Sequence, residues 1–242
     1  MIYLLPNIFT TLNIFCGFFA IISIIKKNLW YAGWAILFSI MFDIFDGRIA
    51  RHFQAFSKFG MEYDSLCDLV SFGVAPSLLA YEFVLKDLGN VGWIACFLYT
   101  TCVALRLARF NVTTDSGKTY FEGLPSPAGA ALIATAVLFF IKSSINLPYK
   151  KYFFLTFLTL IAYLLVSSIE YPSFKEIQIK KGQTFYFLLF FVLGLSLASI
   201  DPPLSILIII GTYTLIGPFL FVKTNLKGIR KKKKNFKENL TK

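Results

Sequence analysis

Long apolar segments recur along nearly the whole chain, and they restrict its fold more than any other feature. Crossing the hydrocarbon core of a membrane takes about 20 residues of α-helix. Eight segments have suitable length and composition: 6–25, 30–51, 60–84, 91–110, 126–143, 149–169, 184–200 and 203–222. Inside lipid, every backbone amide has to be hydrogen-bonded within the protein, and a single segment achieves this as a helix. The sequence therefore predicts an all-α, polytopic membrane helix bundle with about eight transmembrane helices.

The distribution of charge predicts how the bundle lies in its membrane. Charged residues make up only 15 % of the chain, yet the last twenty residues, 223–242, hold nine of its 24 Lys and Arg residues. We interpret this stretch as a basic cytoplasmic tail that contacts anionic lipid, and not as a nucleic-acid site. The preceding residues, 1–222, form the predicted transmembrane domain. With both termini in the cytoplasm, basic residues favour the cytoplasmic side three to one, as expected for the cytoplasmic (inner) membrane.

Four aspartates interrupt the second and third apolar segments. They are Asp43, Asp46, Asp64 and Asp68, all within twenty-six residues. A charge at bilayer depth is costly unless it is paired, hydrated or bound to metal. Because a helix turns by about 100° per residue, Asp43 and Asp46 share one stripe of their helix with Gly47, and Asp64 and Asp68 share another. If the two stripes face each other, they form a four-carboxylate pocket at the predicted cytoplasmic end.

Such a pocket suits hard divalent cations. Carboxylate oxygens select Mg²⁺, Mn²⁺ or Ca²⁺ over zinc, and four of them suffice for two ions, an arrangement suited to phosphoryl chemistry. Two alternatives stay open on the residues alone. The acids could be neutralised by Arg48, Arg51 and neighbouring helix ends, or they could serve a cation channel or a proton-coupled transporter. The paired repeats and broken helices typical of transporters are not evident in the sequence.

The spacing of the aspartates resembles the signature of a known family. The pattern D-x2-D-G-x2-A-R-x8-G-x3-D-x3-D is matched at every fixed position from Asp43 to Asp68. It is the signature of the CDP-alcohol phosphatidyltransferases, integral membrane enzymes of phospholipid synthesis. Four more stretches resemble one branch, the membrane-embedded phosphatidylserine synthases: Leu5–Asn13, Ser71–Pro76, Arg106–Asn111 and Phe121–Ala128. The resemblance covers roughly residues 1–135.

The resemblance implies a six-helix catalytic core and a reaction. A phosphatidyl group would pass from CDP-diacylglycerol to the hydroxyl of L-serine, with release of CMP. Transfer to another alcohol such as glycerol phosphate or inositol stays open, and so does a divalent-cation transporter outside the family. The implied cofactors are two Mg²⁺ or Mn²⁺ ions, with Ca²⁺ as a further ion able to bind. The implied partners are the two substrates, membrane lipid and a second copy of the chain.

The resemblance also implies roles for single residues. The four aspartates would hold the metal ions, and Asp68 would in addition accept the proton of the attacking alcohol. Five residues would meet the CDP moiety: Asn7, Gly47, Arg51, Ser57 and Gly60. Serine is a zwitterion, so its site also needs a cation for the carboxylate. Arg106 and Arg109 are the candidates for binding this carboxylate or the lipid phosphate. For the ammonium of serine, three candidates remain open: Glu62, Glu82 and Glu122.

Overall fold

The computed structural model describes residues 4–54, 57–113, 120–143, 148–172, 200–219 and 221. Its helices are α1 (Leu4–Ile25), α2 (Leu29–His52), α3 (Lys58–Asp68), α4 (Ala75–Phe83), α5 (Asn90–Thr113), α6 (Ser126–Ser143), α7 (Lys150–Val166) and α8 (Pro202–Phe219). Six helical stretches among the described residues are long and apolar enough to cross a membrane, with α3 and α4 counted as one. The predicted all-α polytopic membrane fold is confirmed. The predicted segment 184–200 lies outside the described residues, except for Ile200.

Helix α6 lies at the centre of the bundle. Eleven of its eighteen residues are buried, several of them Ala or Gly. Small side chains let helices approach closely, and close packing largely replaces the hydrophobic effect as the source of helix association in lipid. At Gly33 of α2, an added Cβ would lie 2.7 Å from Cγ of Leu138 on α6. The glycine therefore permits the close contact between these two helices.

The third apolar segment differs from the single helix predicted at 60–84. Helix α3 ends at Asp68, a π-helical turn follows at Leu69–Val74, and α4 continues from Ala75. Proline explains the interruption, because Pro76 has no N–H to donate to the carbonyl of Phe72 and its ring crowds that oxygen. The hydroxyl of Tyr99 on α5 donates a hydrogen bond of 2.8 Å to the Phe72 carbonyl instead. The irregular turn thus begins directly after the last aspartate of the motif.

We expect Tyr99→Phe to destabilise the protein. Tyr99 is fully buried, so the substitution would leave the Phe72 carbonyl without its donor, at a cost of about 1–3 kcal/mol. The measurement is thermal unfolding of the purified protein in detergent. The matched control is Tyr163→Phe, which removes a hydroxyl from a tyrosine that is 65 % exposed. Equal unfolding temperatures for the two variants would contradict this account.

Two short strands form a ribbon that the sequence did not predict. Strand β1 (Tyr120–Glu122) pairs in antiparallel fashion with β2 (Glu170–Pro172). Each strand lies between two of the predicted apolar segments, β1 between 91–110 and 126–143 and β2 between 149–169 and 184–200. Three residues are too few for an alternating pattern to be recognised. Gly123 follows β1 with a φ of +80°, a conformation that favours glycine, and its N–H donates to the carbonyl of Ile169 at 2.9 Å. The ribbon thereby ties the segment before α6 to the end of α7.

Helix α8 contacts the bundle near both of its ends. At its start, the N–H of Leu204 donates to Oδ1 of Asp201 at 3.2 Å, and Asp201 forms an ion pair of 3.1 Å with Lys142 of α6. Further along, the carbonyl of Thr214 accepts a hydrogen bond of 3.2 Å from the hydroxyl of Tyr171 in β2. Helix α8 thus runs from the end of α6 towards the ribbon.

Candidate metal and substrate site

A cavity of about 380 Å³ opens at one end of the bundle. Its walls come from the last part of α2, the middle and end of α3, the last part of α5 and the residues that begin α6. Helices α2 and α5 end on the side of the bundle where α3 and α6 begin. Residues far apart in the sequence therefore meet around one space.

All four aspartates of the motif line this cavity. Asp43, Asp64 and Asp68 each offer one carboxylate oxygen, and these oxygens lie within 4.8 Å of one another. Asp46 is buried, and its Oδ2 accepts a hydrogen bond of 3.0 Å from the hydroxyl of Thr10 on α1. The stripe of α2 and the stripe of α3 that helical periodicity defines both contribute to this cavity.

The carboxylates fit a bound divalent cation. Oδ1 of Asp64 is buried and has no hydrogen-bond partner. Within the described ranges, the ion pairs are Lys86–Glu82 and Lys142–Asp201, and neither involves the cluster. Buried carboxylates without a compensating cation are costly, and a donor set made only of oxygens suits a hard divalent ion. The Asp cluster could therefore hold a metal ion.

Helix α1 contributes a buried asparagine that the sequence interpretation passed over. Nδ2 of Asn13 donates a hydrogen bond of 3.0 Å to Oδ1 of Asp68, and the carbonyl of Asn13 accepts one of 3.1 Å from Ser71. Asn13 is fully buried. Thr10 lies three residues earlier on the same face of α1, so this face supports two of the four aspartates. The sequence does contain a feature that could have predicted this role, because Thr10 and Asn13 are a pair of polar residues within an otherwise apolar helix.

We expect Asn13→Ala to lower turnover about 10- to 100-fold, the range typical of residues that orient metal ligands. Without the amide, the carboxylate of Asp68 loses the donor that fixes its orientation. The measurement is the turnover number for CMP release by the purified protein. Asn28→Ala is the matched control, because Asn28 precedes α2 at the other end of α1 and makes no capping hydrogen bond. Equal turnover in both variants would contradict an orienting role.

The five residues assigned to the CDP moiety divide into two groups. Gly47 and Arg51 line the cavity. The other three lie together outside that lining: the N–H of Gly60 donates to Oγ of Ser57 at 2.9 Å, and a Cβ at Gly60 would lie 3.4 Å from Oδ1 of Asn7. Ser57 is the N-cap of α3. The structure thus places two of the five at the cavity and the remaining three in one neighbouring cluster.

The two candidate arginines have different surroundings. Arg106 lines the cavity and is only 8 % exposed. Its Nη1 donates to Oγ of Ser126 at 3.0 Å, while its Nε is buried without a partner. Arg106 is therefore a buried cation with unused hydrogen-bonding capacity at the cavity wall.

The guanidinium of Arg109 donates to backbone carbonyls instead. Its partners are Glu122 at 3.0 Å, Val166 at 3.3 Å and Ser167 at 3.4 Å. These bonds join α5 to the ribbon and to the end of α7. Arg109 is absent from the described lining of the cavity, and its assignment to the acceptor stays a prediction.

Comparison with known families agrees with this geometry. The family model described as CDP-alcohol phosphatidyltransferase matches residues 3–168. The chain belongs to the CDP-alcohol phosphatidyltransferase family. The matched residues contain the four aspartates and six helical stretches, again with α3 and α4 counted as one. Helix α8 lies beyond the matched region.

Several curated relatives of this phosphatidyltransferase share one name with each other, CDP-diacylglycerol–serine O-phosphatidyltransferase. One from Helicobacter pylori is 38 % identical over 227 residues, which cover 92 % of this chain and 94 % of the relative. One from Bacillus subtilis is 38 % identical over 173 residues, which cover 71 % of this chain and 92 % of the relative. One from Saccharomyces cerevisiae is 41 % identical over 139 residues, about half of each chain.

Proposed function

We propose that this enzyme transfers a phosphatidyl group from CDP-diacylglycerol to the hydroxyl of L-serine, giving phosphatidylserine and CMP. The observation that carries the proposal is the meeting of three aspartate carboxylates within 4.8 Å at the cavity. The names of relatives aligned over most of this chain support serine as the acceptor. The family model supports a CDP-alcohol as the donor, and the names of the same relatives support CDP-diacylglycerol in particular.

The four aspartates would hold two divalent ions, Mg²⁺ or Mn²⁺. Bound metal would supply positive charge against the diphosphate of the donor as CMP leaves. Asp68 would accept the proton of the serine hydroxyl, because an alcohol is a weak nucleophile until a nearby base takes its proton. Oδ1 of Asp68 is engaged by Asn13, so the carboxylate has its second oxygen for this task.

The donor and acceptor would approach from different walls. Gly47 and Arg51 at the cavity would meet the diphosphate of the donor, and the neighbouring cluster of Asn7, Ser57 and Gly60 would meet the rest of the CDP moiety. Arg106 would bind the carboxylate of serine, since a largely desolvated guanidinium forms strong charge-assisted hydrogen bonds. Its unpartnered Nε supports this role.

We further propose that the enzyme is a homodimer of the inner membrane with its site and both termini facing the cytoplasm. The excess of basic residues on that side supports this orientation. Residues 1–222 would form the transmembrane domain and residues 223–242 a basic cytoplasmic tail. The tail lies outside the described residues.

The test is CMP release by the detergent-purified protein, given CDP-diacylglycerol, Mg²⁺ or Mn²⁺, and a panel of alcohols. We expect release with L-serine and not with glycerol phosphate or inositol, together with the appearance of phosphatidylserine. Release with a different alcohol would overturn the proposed acceptor and leave the donor in place. Folded protein that releases no CMP with any alcohol would overturn the proposed reaction and favour divalent-cation transport.

A further inference from the structure

A polar cluster on the cavity wall is not used by the roles proposed above. Ser65 of α3 and Asn111 of α5 both line the cavity. The hydroxyl of Ser65 donates to Oδ1 of Asn111 at 3.2 Å, and Nδ2 of Asn111 lies 3.0 Å from Oγ of Ser65. The same Nδ2 donates to a carboxylate oxygen of Glu62 at 3.4 Å. Glu62 lies one helical turn before Ser65, and this hydrogen bond places its charge beside the amide.

This cluster and Arg106 contribute to the wall of the same cavity. Arg106 and Asn111 are five residues apart, which separates them by about 7.5 Å along the helix axis, and both line the cavity. The wall therefore has a buried cation at one point and an amide backed by a carboxylate at the other. A small zwitterion carries the two charges that such a wall would bind, with its carboxylate at Arg106 and its ammonium at Asn111.

The remaining two glutamates considered for the ammonium have different surroundings. Glu82 lies near the other end of the third apolar segment, where it forms an ion pair of 2.7 Å with Lys86. Glu122 lies outside the described lining of the cavity, and its carbonyl accepts a hydrogen bond from Arg109. Glu62, one of the three glutamates that the sequence left open, is hydrogen-bonded to Asn111 of the cavity wall.

We infer that Asn111, supported by Ser65 and Glu62, binds the ammonium group of the acceptor amino acid. The ammonium donates to Oδ1 of Asn111, and the carboxylate of Glu62, which accepts a hydrogen bond from Nδ2 of the same amide, adds negative charge nearby. This inference rests on the proposed function, because it concerns the acceptor of that reaction. It makes Asn111 a residue that selects an amino acid over a plain hydroxy acid.

The experiment compares L-serine with 3-hydroxypropionate, which is serine without its ammonium group. The full-length protein is assayed for CMP release with each compound as acceptor, and 3-hydroxypropionate is also tested as a competitive inhibitor of serine. The variants are Asn111→Leu, which removes the amide at similar size, and Glu62→Gln, which removes only the charge. Glu82→Gln is the matched control, because it removes a glutamate charge at a site remote from the cavity.

We expect Asn111→Leu to raise the KM for L-serine about tenfold, the effect expected when a hydrogen bond to a charged group is lost. Glu62→Gln should raise it about threefold, because the carboxylate of Glu62 is exposed and its charge is screened by solvent. The KM for CDP-diacylglycerol and the KM or inhibition constant of 3-hydroxypropionate should not change. The preference for serine over 3-hydroxypropionate falls by the same factors. Glu82→Gln should match the parent protein throughout.

Two results would overturn the inference. One is an unchanged preference for serine in both variants, and the other is an equal loss with both acceptors, which indicates a structural role. If Asn111→Leu does not fold, Glu62→Gln decides the question, because Glu62 lies at the exposed surface. Parent protein that makes no phosphatidylserine would overturn the proposed function itself. Active parent protein with unchanged selectivity in the variants would overturn only the ammonium site.

Discussion

Asp43→Asn is expected to reduce the rate of CMP release about 100- to 1,000-fold, the loss typical when a group that stabilises transition-state charge is removed. The carboxylate of Asp43 lies within 4.8 Å of those of Asp64 and Asp68. Asparagine keeps the shape of the side chain and removes its charge. The remaining carboxylates then attract a divalent cation less strongly, so the affinity for metal and the activity should fall together.

Metal binding can be measured independently of activity, by calorimetric titration of the purified protein with Mn²⁺. Asp201→Asn is the matched control, because Asp201 pairs with Lys142 at the far end of α6 and the same substitution there leaves the cavity intact. An exposed ion pair of this kind contributes little to stability, so the control should fold. If Asp43→Asn bound Mn²⁺ as tightly as the parent protein, the proposed metal site would be wrong.

The sequence predicted the helices and the carboxylate pocket because both depend on local regularities. Apolar runs of spanning length have one solution in lipid, which is the helix. The spacings of three and four residues, Asp43 to Asp46 and Asp64 to Asp68, place each pair on one face of its helix. Two acidic faces within an apolar bundle are most stable when they share one polar space. Beyond these regularities, the pocket needed one assumption, that the two stripes face each other.

What the sequence did not predict depends on contacts between distant segments. The hydrogen bond from Asn13 to Asp68 joins residues 55 positions apart, and only the packing of α1 against α3 brings them together. Arg106 and Arg109 are three residues apart in one helix, and the sequence assigned them the same role. Arg106 meets the start of α6 at Ser126, whereas Arg109 meets carbonyls of the ribbon and α7. Their difference therefore follows from the tertiary arrangement.

The interruption of the third apolar segment was predictable only in part, because it depends both on the local sequence and on a contact with a distant segment. Pro76 was visible in the sequence, and a proline within a helix removes one hydrogen bond and crowds the preceding turn. The result could have been a kink, a break or a wider turn. The structure has a π-helical turn at Leu69–Val74, with Tyr99 supplying the missing donor. The choice depends on Tyr99, which belongs to another helix.

Asp68→Asn is expected to lower the turnover number about 100- to 10,000-fold, the range in which general bases contribute. Asp68 is 7 % exposed, and its Oδ1 accepts the amide of Asn13. Asparagine at this position offers no basic oxygen to the serine hydroxyl. The loss should therefore appear mainly in turnover, with a smaller change in the KM for CDP-diacylglycerol.

The comparison with Asp64→Asn separates the two roles proposed for Asp68. Asp64 lies in the same carboxylate cluster, and its buried Oδ1 has no hydrogen-bond partner, so we assign it to metal alone. Saturating Mn²⁺ should restore part of the activity of Asp64→Asn, because its defect is weaker binding of the cation. It should not restore Asp68→Asn, whose missing proton acceptor no concentration of metal replaces. Equal restoration of both variants would mean that Asp68 acts only as a ligand and that another group accepts the proton.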